Sequence, residues 1–226
     1  MKSLAECETL RSGMSMHEFL ALLKNGTELI RQVANRLNFP QKTIISAQKY
    51  LVQYCYKNSA AIYPWEDISI ACLFVSSKVN DTCKKIRFLL LAAFLLKAPE
   101  FEGKEFNEEA TIESFRKQII GYERLVLEAI DFSFSPERTF ESLVKFAKYF
   151  GVEDGVQLGE AWGFIERAYT TPLCVEYANE IVALYALYAK VPSLRGDLEA
   201  FAGSYLRLPG AVWKEVQAES VFFELE

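Results

Sequence analysis

Few residues of this sequence could carry covalent chemistry. His17 is its single histidine in 226 residues, so a nucleophile–histidine arrangement would have no other imidazole to use. No glycine-rich phosphate loop is present. The acid pair Glu108-Glu109 lies in a charged stretch that offers no buried neighbour to shift a carboxyl pKa. Helical enzymes that act on isoprenoid substrates need Asp-rich metal motifs, and the sequence has none. Cys7, Cys55, Cys72, Cys83 and Cys174 are odd in number and scattered, without metal-ligand spacing. They read as reduced cysteines that mostly fill a core, as in an intracellular protein. The sequence therefore predicts a chain that is not an enzyme and has no cofactor and no metal.

Charge narrows the partners. The formal net charge is −5 and the isoelectric point about 5.2, so the whole chain lacks the basic footprint of a nucleic-acid binder. Lys84, Lys85 and Arg87 form one short basic cluster, which reads as a solvated face ahead of a patch for acidic or RNA partners. The run Phe88–Leu96 (FLLLAAFLL) falls far short of the roughly 20 apolar residues a membrane span requires. The N-terminus carries no apolar signal core behind a basic flank. The expectation is a soluble intracellular protein that contacts neither nucleic acid nor membrane directly.

Binding, then, must come from the way helices present their surfaces. The organising stretch is Trp65–Lys78 (WEDISIACLFVSSK), nearly continuous in apolar residues from Ile68 to Val75. A helix without a polar face has to be wrapped by other helices. Pro64 followed by Glu66 and Asp67 marks its start, and Ser76-Ser77-Lys78 is the end expected to emerge beside solvent or a partner. Residues 1–14 show little periodicity and read as a loosely held arm. From about Ser15 the pattern is helical, with Ile30, Val33, Ala34 and Leu37 on one face ending near Phe39-Pro40. Gln41–Tyr56 follows, buried along Ile44, Ala47, Leu51 and Tyr54. After the central helix come Lys85–Lys97, a loop over 98–110, and Thr111–Ile130 with Phe115, Ile119, Tyr122 and Val126 inward. Ser135-Pro136-Glu137 predicts a helix start running to Phe150, with Gly151 as its C-cap. Further helices are expected over Val156–Tyr169, from Pro172 to Lys190, near Leu198 and from about Pro209. No strand-period alternation with hairpin signals appears, so the class is all-α.

The pattern also repeats. IACLFVSSKV (Ile70–Val79) aligns with VALYALYAKV (Val182–Val191), and Ile30, Val33, Ala34 and Leu37 align with Leu143, Phe146, Ala147 and Phe150. Two matches in order at nearly equal offsets point to two copies of one helical unit, joined near Asp131–Ser135. Two tandem five-helix repeats, each around a buried third helix, resemble the cyclin fold. LNFPQKTIISAQKYLVQYC, ISIACLFVSSKVNDTCKKIR and SFRKQIIGYERLVLEAIDFSF are similar to the second, third and fifth helix segments of a cyclin box. TPLCVEYANEIVALYALYAK resembles the second box. The implied division is an N-terminal arm and helix over 1–27, a first cyclin box over 28–134 and a second over 135–226. The forms LNFPQKT and SSKV-x-x-T-x-KKIR resemble the transcriptional group of cyclins K, T, L and C, and the cyclin subunits of fungal kinases of the RNA polymerase II C-terminal domain. The sequence departs from the family at Asn80-Asp81, Cys83 and Val79, and MHEFLALLKNG has no counterpart of the arginine-containing substrate-docking motif of cell-cycle cyclins.

The resemblance implies a regulatory subunit that activates a transcription-type cyclin-dependent kinase. The kinase would be its partner in a heterodimer, open to a third subunit, with the RNA polymerase II tail as substrate. Its site of action would be the nucleus, with the cytoplasm as a second place. It also implies site residues. Lys78 and Glu123 fall where cyclins make polar contacts with the kinase, and Val79, Leu127 and Phe132 fall on apolar positions of the same surface. Each has a plainer reading. A lysine at a helix end complements the dipole, and Lys190 holds the same place in the second repeat. Apolar residues at helical spacing commonly belong to a core. Two other readings stay open: a cyclin-fold general transcription factor of the TFIIB type, which should be basic with a zinc ribbon, and a kinase-independent helical adaptor.

Overall fold

A computed structural model describes residues 3–102, 108–204, 206–207 and 210–224. Its described residues form helices and no strand, and the chain divides into two compact units, Ser3–Pro136 and Glu137–Glu226. No described helix is long and apolar enough to cross a membrane.

The first unit carries α1 (Glu8–Arg11), α2 (Met16–Arg36), α3 (Gln41–Lys57), α4 (Trp65–Val79), α5 (Ile86–Lys97) and α6 (Glu108–Ala129). Ser15 opens α2 with a reciprocal cap: Glu18 N–H donates to the Ser15 hydroxyl at 3.2 Å, and the Ser15 N–H donates to Glu18 Oε2 at 2.9 Å. That serine holds the Glu18 carboxyl below its ordinary range. α2 runs unbroken past residue 28, where the sequence pattern opens the first repeat. As expected for a helix without a polar face, every residue of α4 from Ile68 to Ser77 is buried, and α2, α3, α5 and α6 pack around it. Gly26 makes the closest approach possible: a Cβ there would lie 2.6 Å from Leu51 Cδ2 and 2.8 Å from Ser69 Oγ.

Three helices of this unit, and one of the second, end in the same way. The residue after the cap turns left-handed, at Asn38, Asp81, Asp131 and Gly151, and the next N–H reaches back five residues. Examples are Thr82 to the Ser77 carbonyl at 2.9 Å and Phe132 to the Leu127 carbonyl at 3.0 Å. Asn and Asp substitute for the usual glycine because their short polar side chains tolerate that conformation.

The second unit carries α7 (Thr139–Tyr149), α8 (Gly155–Ala168), α9 (Leu173–Glu176), α10 (Asn179–Lys190), α11 (Arg195–Ser204) and α12 (Gly210–Glu224). Here α10 is the buried central helix, closed from solvent over Ile181–Tyr188 and packed on α7 and α8.

Several expectations need correction. The N-terminal arm is not loose: Cys7 and Thr9 are fully buried. The Thr9 hydroxyl lies 2.7 Å from the Cys55 carbonyl and 2.9 Å from that of Asn58, and accepts the Ala60 N–H at 3.1 Å. It thereby partners carbonyl groups that the end of α3 leaves open. Within 98–110, Pro99–Phe101 is a 3-10 turn, residues 103–107 lie outside the described ones, and α6 already begins at Glu108. Phe115 is 42% exposed rather than inward. The helix expected from Pro136 begins only at Thr139, and Glu137, the acid expected in its first turn, lies ahead of it and accepts the Tyr169 hydroxyl at 2.8 Å. The helix expected from Pro172 to Lys190 breaks at Tyr177, which is extended and whose hydroxyl is pushed up by burial and then by Glu219 of α12.

Candidate functional site

The most concentrated set of predicted site residues lies where α4 ends beside α6. Ser76 and Ser77 do not emerge there, contrary to the sequence reading. Both are fully buried, Ser76 donating to the Thr43 carbonyl at 2.7 Å and Ser77 to the Phe74 carbonyl at 2.7 Å. With their hydroxyls satisfied inside, the first side chain to reach the surface is Lys78.

Lys78 leads in two directions at once. Its Nζ lies 4.0 Å from the centroid of the Phe74 ring, one helical turn back, and 2.6 Å from Glu123 Oε1 on α6. The side chains are 42% and 21% exposed, so the pair is set at a boundary between core and solvent. One helical turn beyond Glu123, Leu127 is half-buried, as is Val79. Phe132, past the end of α6, is 57% exposed, and Phe134 is 52% exposed. The structure thus brings Lys78 and Glu123 into contact, sets Val79 and Leu127 at the ends of the same two packed helices, and leaves Phe132 at the exit of α6. None of the five is fully buried.

The exit itself is unusual. Asp131 and Phe132 are consecutive left-handed residues, with φ of 54° and 51°. Such a conformation costs an aromatic residue about 1–2 kcal/mol. Lys57 of α3 pairs with Asp131 Oδ1 and lies 3.5 Å from the Glu128 carbonyl.

Elsewhere in the first unit a cleft of about 60 Å³ lies between α2, α4, α5 and α6, apolar at Leu29, Ile70 and Leu90 and charged at Asp67 and Lys97. It is too small for an organic cofactor, whose sites occupy roughly 300–1,000 Å³. Burial pushes the Asp67 carboxyl up, opposed by Lys97 and reinforced by Glu66. Tyr63 and Tyr122 meet beside it with ring centroids 5.2 Å apart, and burial, then Asp67, push the Tyr122 hydroxyl up. Burial likewise raises the thiols of Cys55 and Cys72, which makes them unreactive packing groups. None of the five cysteines forms a disulfide, and Cys83 alone is exposed. Among the described residues, no group of three or more His, Cys, Asp or Glu side chains could hold a metal ion.

Sequence reasoning missed Phe74 as the surface under the Lys78 ammonium, although its i−4 position was a readable signal. It also missed Lys57, whose partner lies 74 positions away.

Comparison with known proteins gives the family and the fold. The model of the cyclin N-terminal domain matches residues 21–135, so the chain belongs to the cyclin family. It is 32% identical over 165 residues to the CTD kinase subunit beta of Schizosaccharomyces pombe, covering 70% of this chain and 48% of that protein. It is 27% identical over 161 residues to cyclin-T1-2 of Oryza sativa subsp. japonica, covering 70% and 26%, and 25% identical over 190 residues to human cyclin-K, covering 83% and 32%. The chain therefore spans half or less of the length of these curated relatives. Among solved structures, a chain of the yeast RNA Pol II CTD kinase CTDK-1 complex superposes with a TM-score of 0.71 at 16% identity, over 92% of this chain and 74% of that one. A chain of the CAK complex of Chaetomium thermophilum gives 0.64 at 17% identity, over 92% and 63%. Both likenesses speak to the fold.

Proposed function

We propose that this chain is the non-catalytic, activating subunit of a transcription-type cyclin-dependent kinase, one that phosphorylates the C-terminal domain of RNA polymerase II in the nucleus. The observation that carries the reading is the Lys78–Glu123 bridge at the edge of a surface that also exposes Phe132. Charged groups held at the rim of an apolar patch are the anatomy of a protein interface. The likeness to cyclin-K, cyclin-T1-2 and a CTD kinase subunit beta supports the transcriptional assignment.

On this reading Lys78, Val79, Glu123, Leu127 and Phe132 touch the kinase. They bind the arrangement in which its αC helix is turned inward, its Lys–Glu ion pair forms and its activation loop orders. The subunit activates by the difference between its affinities for the active and inactive arrangements. ATP, Mg²⁺ and the reacting groups belong to the partner.

Affinity capture from the native nuclear extract tests this proposal. A serine/threonine kinase recovered in stoichiometric amount, with activity on an RNA polymerase II tail peptide, is the expected result. Recovery of promoter-bound transcription factors with no kinase would favour the TFIIB-type alternative. The acidic balance of the chain weighs against that alternative.

A further inference from the structure

Four described helices close with one left-handed residue, which is all that this type of helix ending requires. At Asn38, Asp81 and Gly151 the chain then returns to ordinary backbone. Only at the end of α6 does the next residue stay left-handed, and that residue is Phe132, for which the conformation is unfavourable. Helix capping alone does not require the second residue, but the Ser133 N–H donates to the Ile130 carbonyl at 2.9 Å and closes a turn over Asp131 and Phe132, beside the Phe132 and Asp131 bonds to the Leu127 and Glu128 carbonyls. Packing does not explain it, because the strained turn leaves the ring 57% exposed. Local hydrogen bonds close this turn, and a contact from another helix can fix it further.

Lys57 is placed to hold it. It ends α3, and its ammonium pairs with the Asp131 carboxylate while lying 3.5 Å from the Glu128 carbonyl. One cation thus pairs with the left-handed residue that precedes Phe132 and lies beside the last turn of α6, where a positive charge also complements the helix dipole.

We propose that Lys57 is a positioning residue. By clamping Asp131 and the last turn of α6, it fixes the doubly left-handed exit that presents the Phe132 ring to the partner kinase. This rests on the kinase-binding reading above, and deepens it by adding a residue that never touches the kinase.

The test measures the affinity of purified variants for the kinase and their melting temperatures in parallel. Lys57→Met should bind roughly three- to tenfold more weakly than the unaltered protein, and Lys57→Arg should recover most of the loss. In a Phe132→Ala background, Lys57→Met should add nothing further, because there is no ring left to position. Asp131→Gly relieves the left-handed strain but removes the carboxylate. It should melt at or above the temperature of the unaltered protein and yet bind more weakly, a split that a purely structural role cannot produce. Unchanged binding by Lys57→Met, or an equal loss in both backgrounds, overturns the clamp while Phe132 keeps its place on the interface. Unchanged binding by Phe132→Ala overturns both.

Discussion

The ammonium of Lys78 lies 2.6 Å from the carboxylate of Glu123, joining the ends of α4 and α6 across 45 positions of sequence. Two residues that the family resemblance assigns to a partner are thus each other's partner in the isolated chain. Both are partly exposed, so the bridge stabilises the fold by at most about 1 kcal/mol. The contact of Lys78 with the Phe74 ring adds a similar amount. Lys78→Ala and Glu123→Ala should therefore lower the melting temperature by only a few degrees, as followed by circular dichroism. A collapse of the cooperative transition in either variant would show that the bridge belongs to the core.

Much of this architecture was legible because it is local. The continuous apolar run of α4, its proline and acidic start, and the match of Ile70–Val79 with Val182–Val191 locate both central helices from sequence alone. Periodicity also found the buried stripe Ile44, Ala47, Leu51 and Tyr54. What escaped depends on partners remote in sequence. Thr9 has no periodic context, and its hydroxyl is explained only by carbonyls 46 and 49 positions away. Ser135-Pro136-Glu137 has the composition of a helix start, but Tyr169 takes the acid. For the site, helical spacing could put Glu123 and Leu127 on one face; it could not bring Lys78 onto Glu123.

The crossing of α2 and α4 depends on Gly26. Alanine is usually favoured over glycine inside a helix by about 1 kcal/mol. Here its methyl group would strike Leu51 and Ser69 at 2.6 and 2.8 Å, and overpacking of this kind costs about 1–3 kcal/mol. Gly26→Ala should lower stability in chemical denaturation, reversing the sign expected at an open helical position. A variant as stable as the unaltered chain would mean the two helices are not in close contact.

The arm makes a second structural prediction. Thr9→Val keeps the shape of the side chain but strips the Cys55 and Asn58 carbonyls and the Ala60 N–H of their hydroxyl partner. Buried groups left in this way cost about 1–3 kcal/mol. The variant should melt lower and exchange the Ala60 amide faster in hydrogen exchange. No change in either would restore the loose arm read from the sequence.

Asp67 gives a pH dependence with a definite sign. Burial raises its carboxyl pKa, so the native state holds the proton more tightly than the unfolded chain does. Stability from this group is therefore lost as the pH climbs from the ordinary carboxylate range, about 4, through the raised folded value. Asp67→Asn removes that titration. Its melting temperature relative to the unaltered protein should be more favourable at neutral pH than at about pH 4. The opposite trend would show that Lys97 and the helix dipole, rather than burial, govern this carboxyl.

The central claim is that the Lys78–Glu123 edge engages a kinase, and the most direct measurement is a titration of purified subunit variants against the captured kinase, reading phosphorylation of an RNA polymerase II tail peptide. Removing one partner of a desolvated charge contact costs roughly 2–5 kcal/mol, about 30-fold or more in affinity. Lys78→Ala and Glu123→Ala should each show such a loss, while Lys190→Ala, at the matching place in the second repeat, shows little. The exchanged pair Lys78→Glu with Glu123→Lys should regain the internal bridge and the melting temperature, but not kinase activation. Equal effects at Lys78 and Lys190, no effect at either, or full activation by the exchanged pair would contradict the account and leave Lys78 as a charge at the end of a helix.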